Sequence, residues 1–477
     1  MLTRLQIDGF KNLKGVDLRF GALTCIAGRN GVGKSNLFDA IAFLGDLASM
    51  PLLKAAVRVR GTGGRLAGVR HIFGHYASDT PRISFVAEMV VPRQVLDDFD
   101  RSASATATCL RYSIRLALKS GGADSDAGES LYIESERLEA LSLEHATAAM
   151  HFGPSKAWCK RYLLGPGNRT TPFIATRDGA ITLFGDKGSK GRPPAAPASK
   201  TPQTVLSGVN SSTHPTALAA RRELQSWHLL QLEPTALRAP DEYNGDKSIS
   251  ATGQHLPNAL RRIGCQFQLA NLLSELIPGV ISVEVDSDEA RQQRTLQVRM
   301  RDRQLYDASA LSDGTLRFIA LGLLGLDPRA SGLVCLEEPE NGIHPQRIPD
   351  MMLLVGQLAE DLTDVESGEG DDPSVGPRQV IVNTHSPLVV GELDANDLLI
   401  AETLRQRGQE WISFKPLRDT WRAGNLAITD LVSPGEIQEY LGASTSVSAA
   451  PTPSALYGRS PRRRAVKDHL PSDLFGG

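Results

Sequence analysis

The chain opens with apolar and polar positions in alternation, first Leu2, Leu5 and Ile7, then Val16, Leu18 and Phe20. A period of two turns one face inward, so two short strands are predicted there. The apolar run Ala22–Ala27 predicts a buried strand. A glycine-rich turn follows, then Leu37, Ala40, Ile41, Phe43 and Leu44 at the spacing of one helix face. Further strands are predicted over Arg82–Val90 and Leu110–Leu118. Between about residue 119 and residue 225 the pattern weakens. Ser120–Glu129 and Asp186–Pro202 are rich in Gly, Ser, Pro and Ala and read as exposed loops, because they bury too little apolar surface to offset their ordering entropy.

Helical periodicity returns over Leu218–Leu230 and Leu256–Leu276, with strand patterns at Val280–Asp286 and Thr295–Arg301. The run Phe318–Leu326 reads as a buried helix. From residue 441 the composition predicts a disordered tail. No repeat and no sustained heptad appears, so no long coiled-coil arm is expected. The layout is an interrupted α/β protein. It divides into an N-terminal lobe (1–118), an inserted α+β middle region (119–230), a C-terminal lobe (231–440) and the tail (441–477).

With 477 residues, 41% of them hydrophobic, the chain has material for a sizeable core. A formal charge of −2 gives no global attraction to nucleic acid or anionic membrane. No stretch approaches the ~20 apolar residues of a membrane span, and the N-terminus lacks the apolar block of a signal peptide. The five cysteines are scattered without metal-type spacing, and Cys25 and Cys335 sit in apolar runs. A cytoplasmic protein with free thiols is expected.

The turn after Ala27 reads Gly28, Arg29, Asn30, Gly31, Val32, Gly33, Lys34, Ser35, with Asn36 next. This is GxxxxGK[ST] between a buried strand and a helix, the context a phosphate loop requires. Glycines let successive N–H groups face one anion, and the following helix adds its positive end. Lys34 is suited to the β- and γ-phosphates of ATP and the Ser35 hydroxyl to Mg²⁺.

A second buried strand, Leu333–Glu337, ends in the pair Glu337 and Glu338. Such a pair alone is more often a solvated strand end. Beside a phosphate loop it assigns Glu337 to the metal and Glu338 to the general base, since adjacent strand residues point to opposite faces. A third strand, from Gln379, ends in Asn383, Thr384 and His385, where His385 is within range of a γ-phosphate. The segment Ala310–Thr315 places Ser312 and Gly314 at the start of a helix, a further anion-binding end.

The ordered set GRNGVGKS, LSDGT, LVCLEEPENGIHP and VIVNTHSP resembles the ABC-type ATPase heads of the RecF/SMC group, and more narrowly the bacterial RecF-like AAA-family proteins. IDGFKNLKGVDLRF, LEPTALRAPDEY and GQHLPNALRRI are similar to the same group. The resemblance implies a P-loop NTPase fold that dimerises, with Ser312 and Gly314 of one subunit meeting the nucleotide on Lys34 and Ser35 of the other. Under it Glu337 is the Mg²⁺-binding acid, where Asp is commoner, Glu338 the catalytic base and His385 the switch histidine. A magnesium-sensing residue would fall near Arg70–His75. Arg58 and Arg60 are candidates for phosphate contact by position.

The resulting expectation is an ATP- and Mg²⁺-dependent ATPase working as a homodimer in DNA repair or maintenance. DNA is the expected ligand, through the basic clusters Arg58–Arg70, Lys187–Arg192 and Arg459–Arg464. The alternative is an ATP-gated regulator of an antiviral defence or toxin–antitoxin system, acting on a separate effector protein. Residues 388–406 carry scattered acids without a metal-binding nuclease motif, so no nuclease domain is expected.

Overall fold

The computed structural model describes residues 1–61, 69–74, 80–119, 130–150, 152–186, 195–360, 362, 375–406, 408–424, 426–433 and 435–437. The tail, the Ser120–Glu129 stretch, both distal basic clusters and most of the cluster between Arg58 and Arg70 lie outside them.

Two sheets carry the architecture. The first has six strands in the order His228–Leu230, Gly332–Glu337, Arg378–Thr384, Leu23–Ala27, Leu398–Gln406 and Gln409–Pro416. Its first five strands are parallel, and Gln409–Pro416 closes the edge antiparallel. Leu23–Ala27 is buried throughout, which a near-continuous apolar run in a parallel sheet dictates.

The second sheet has eight antiparallel strands. Val16–Arg19, Leu2–Asp8, Arg82–Val90, Cys109–Lys119 and Ser130–Ala140 lie side by side, and Ile174–Arg177, Ala180–Leu183 and Ala195–Pro197 extend them. The middle region thus continues the sheet begun by the first residues. Between this sheet and the helix Lys34–Leu47, Phe10 packs at 5.7 Å from Phe43 and 5.6 Å from Phe85.

Three expectations are corrected. The helix expected over Leu218–Leu230 ends at Gln225, and His228–Leu230 instead pairs with Val334–Leu336. Its apolar residues satisfy a sheet edge as readily as a helix face. The helix expected over Leu256–Leu276 is two, Leu256–Ile263 and Gln266–Leu276, parted by Gly264 at φ 71°. In the stretch expected as loop, Ala195–Pro197 is an edge strand against Ala180–Thr182, a position where proline is tolerated.

Candidate nucleotide site

Three parallel strands end side by side. Leu23–Ala27 runs into the phosphate loop, and Gly332–Glu337 delivers Glu337 and Glu338. Between them, Arg378–Thr384 delivers Asn383, Thr384 and then His385. The register sets Glu337 beside Asn383, and Asn383 beside Ile26. Carboxyl ends of parallel strands are where open α/β sheets bind ligands.

Gly31 and Gly33 hold φ of 81° and 101°, conformations that L side chains rarely adopt. A Cβ on Gly33 would lie 2.3 Å from Asn12 Nδ2, and one on Gly28 would lie 2.6 Å from the Ala401 carbonyl oxygen. Asn12 secures the loop: it donates to the Val32 carbonyl at 3.3 Å and accepts from Asn36 Nδ2 at 2.7 Å. Lys34 Nζ donates to the carbonyls of Gly28 and Arg29 at 2.7 and 2.9 Å. Burial lowers its ammonium pKa, against the opposing pull of the Glu338 charge.

Ser35 Oγ lies 3.4 Å from Asn383 Nδ2, and the buried Asn383 Oδ1 has no protein partner among the described residues. Glu337, also buried, is gripped through both oxygens by Arg60, at 2.6 and 3.1 Å. Arg60 reaches Asp39 Oδ1 at 2.6 Å, and Lys11 Nζ takes Asp39 Oδ2 at 2.6 Å. Ser35 and Glu337 offer a hydroxyl and a carboxylate, oxygen donors of the kind a hard cation such as Mg²⁺ takes, while the Asn383 beside Glu337 turns its amide nitrogen towards Ser35.

Glu338 has φ 44°, unusual for a residue with a side chain, and its N–H donates to the Asn383 carbonyl at 2.8 Å. That turn swings its carboxylate out of the strand. Oε2 accepts from Asn341 Nδ2 at 2.7 Å, and Oε1 lies 2.8 Å from His385 Nδ1. Glu340, whose pKa burial raises, takes the Thr384 hydroxyl as partner. A cleft of about 670 Å³ runs along the loop past His385, lined also by Gly28, Asn30, Ile400 and Val432.

The structure therefore gathers Gly28–Asn36, Glu337, Glu338 and His385 at one edge. Ser312 and Gly314 stand apart. Ser312 is exposed and caps the helix Asp313–Leu326, accepting from the Thr315 N–H at 3.2 Å. Gly314 packs by the Gly342 carbonyl, 3.3 Å from a built Cβ. Arg58 pairs with Asp46 at 3.2 Å. In the segment Arg70–His75, Ile72 accepts from the Lys11 N–H at 2.9 Å, and His75 lies outside the described residues.

Asp39, Asn341 and the free oxygen of Asn383 went unread in the sequence. Asp39 was findable, as an acid one helical turn after Ser35 on a stretch otherwise apolar.

Residues 206–391 match the family model described as "AAA domain, putative AbiEii toxin, Type IV TA system", and residues 4–44 match a second AAA-domain model. Over 45 residues the chain is 51% identical to the DNA replication and repair protein RecF of Bacteroides fragilis and 49% identical to that of Bacteroides thetaiotaomicron. Those matches span 9% of this chain and 12% of each relative. Among solved structures, the Smc head domain derived from Pyrococcus furiosus, bound to the C-terminal domain of ScpA, aligns with TM-score 0.43 and 11% identity, over 87% of this chain and 96% of that one. The SMC head domain from Thermotoga maritima aligns with TM-score 0.35 and 14% identity, over 87% and 99%. The chain thus carries AAA-domain sequence around both the phosphate loop and the strand-end acids, with a first segment similar in sequence to RecF.

Proposed function

We propose that this chain hydrolyses ATP, with the triphosphate on Gly28–Asn36 and Mg²⁺ held by Ser35 and Glu337. The observation that carries the reading is the Glu338 carboxylate, fixed between Asn341 and His385 beside the phosphate loop. Glu338 accepts a proton from a water as that water's oxygen bonds to the γ-phosphorus, and the bond to the β–γ bridging oxygen breaks to release ADP. His385 and Asn341 hold the carboxylate for that transfer. Mg²⁺, when bound, neutralises charge on the phosphate oxygens.

Ser312 and Gly314 complete the site from a second copy. Ser312 at their helix start is exposed and Gly314 half-buried, and N–H groups at such a start are suited to a γ-phosphate presented by another head. ATP thereby joins two heads, and an isolated monomer hydrolyses slowly.

The RecF-like first segment supports a role in DNA repair or maintenance in the cytoplasm. The description attached to residues 206–391 favours a second reading, an ATP-gated component of a toxin–antitoxin or defence system with a separate effector. Phosphate release from ATP, with and without double-stranded DNA, separates them. Stimulation by DNA supports the repair role, and hydrolysis indifferent to DNA supports the gated regulator. Absence of hydrolysis under both conditions contradicts the ATPase reading.

A further inference from the structure

Arg60 enters the nucleotide site from outside the strand-end motifs. Its guanidinium spans Asp39 Oδ1, both oxygens of Glu337 and the Ser35 carbonyl at 3.3 Å. A planar fork on both oxygens uses the carboxylate's best acceptor directions. The side chains of Glu337 and Asp39 are 7% and 5% exposed, so water is a poor substitute partner for either. Arg60 is 41% exposed, so part of its side chain already meets solvent. Lys11 donates to the Arg60 carbonyl at 2.6 Å, which holds the backbone beneath that side chain.

We propose that Arg60 occupies the cation's place on Glu337 in the nucleotide-free head, so that the guanidinium and Mg²⁺ hold this carboxylate in alternation. The proposal rests on the reading of Glu337 as the magnesium-binding acid. With both ionised, Arg60 neutralises Glu337 and weakens its attraction for a free divalent ion. A divalent ion arriving with nucleotide has the stronger field at the same oxygens, and Arg60 then retains Asp39 as its anchor. Arg60 is thus a positioning residue that makes Mg²⁺ capture depend on nucleotide.

The test is the ratio of dissociation constants for a non-hydrolysable ATP analogue without and with Mg²⁺, measured by calorimetry on the full chain. Arg60→Gln removes the competitor for Glu337, so the ratio rises by about tenfold over wild type. Arg60→Lys keeps the charge but loses the fork, giving a smaller rise, and serves if Arg60→Gln does not fold. An unchanged ratio overturns the proposal, since Arg60 would then act equally in both states. A lower ratio overturns it too, by placing the weight of Arg60 on magnesium-bound nucleotide. Glu337→Gln separates the two layers of the argument: a ratio collapsing toward one keeps the metal assignment, and a wild-type ratio removes that assignment together with the proposal.

Discussion

His385 Nδ1 lies 2.8 Å from Glu338 Oε1, joining the residues just past the ends of two neighbouring parallel strands across the mouth of the candidate nucleotide site. The contact ties the orientation of a carboxylate to a residue on the strand that also faces the phosphate loop. With its proton on Nδ1, the imidazole donates to the carboxylate and leaves Nε2 directed elsewhere.

His385→Ala removes one of the two side-chain hydrogen-bond partners that Glu338 has among the described residues, leaving Asn341. Hydrolysis is expected to fall by about 10- to 100-fold, with analogue affinity within about twofold of wild type. Phosphate release and calorimetric binding on the same preparation check both halves. Equal loss of binding would make His385 a nucleotide ligand and not an aligner of the base.

Ser312→Arg places a long cation where the second head's γ-phosphate contact is expected. Binding of nucleotide to the loop should persist, while ATP-dependent dimerisation and hydrolysis are lost. Light scattering with and without analogue reads the first effect. A variant that dimerises and hydrolyses normally removes Ser312 from the site.

Glu136 lies in the eight-stranded sheet, fully buried, accepting from the Val205 and Leu206 N–H groups and the Tyr112 hydroxyl. Burial pushes its carboxyl from the ordinary 4.5 up to about 7, against the pull of those hydrogen bonds. The folded chain therefore keeps a proton that the unfolded chain releases near pH 4.5. Stability from this group is greatest below that pH, falls as pH rises towards 7, and is level above. The span is of order 3 kcal/mol at most. Urea midpoints at about pH 5 and pH 8 should differ more for wild type than for Glu136→Gln. Equal differences would refute the assignment.

The strand-end cluster proposed as the nucleotide site was largely legible because each motif lies within a few residues and sits where a strand meets a turn. Gly28–Ser35 announces itself by glycine spacing, and Glu337–Glu338 by the apolar run before it. Arg60 and Asp39 were harder. They meet Glu337 only once the fold brings together residues far apart in sequence, and no local period encodes that pairing. The same limit explains His228–Leu230, whose strand character depends on a partner a hundred residues away. Likewise, three short strands of the middle region gain their identity from the sheet edge they extend.

Phosphate release by Glu338→Gln tests most directly whether Glu338 activates water at an ATP-filled phosphate loop. Wild type should turn over ATP with Mg²⁺, while Glu338→Gln should bind ATP but hydrolyse it about 100-fold or more slowly, accumulating as a dimer. Lys34→Ala run alongside should fail at binding. A Glu338→Gln protein that releases phosphate at the wild-type rate, or stays monomeric with ATP bound, would contradict the account.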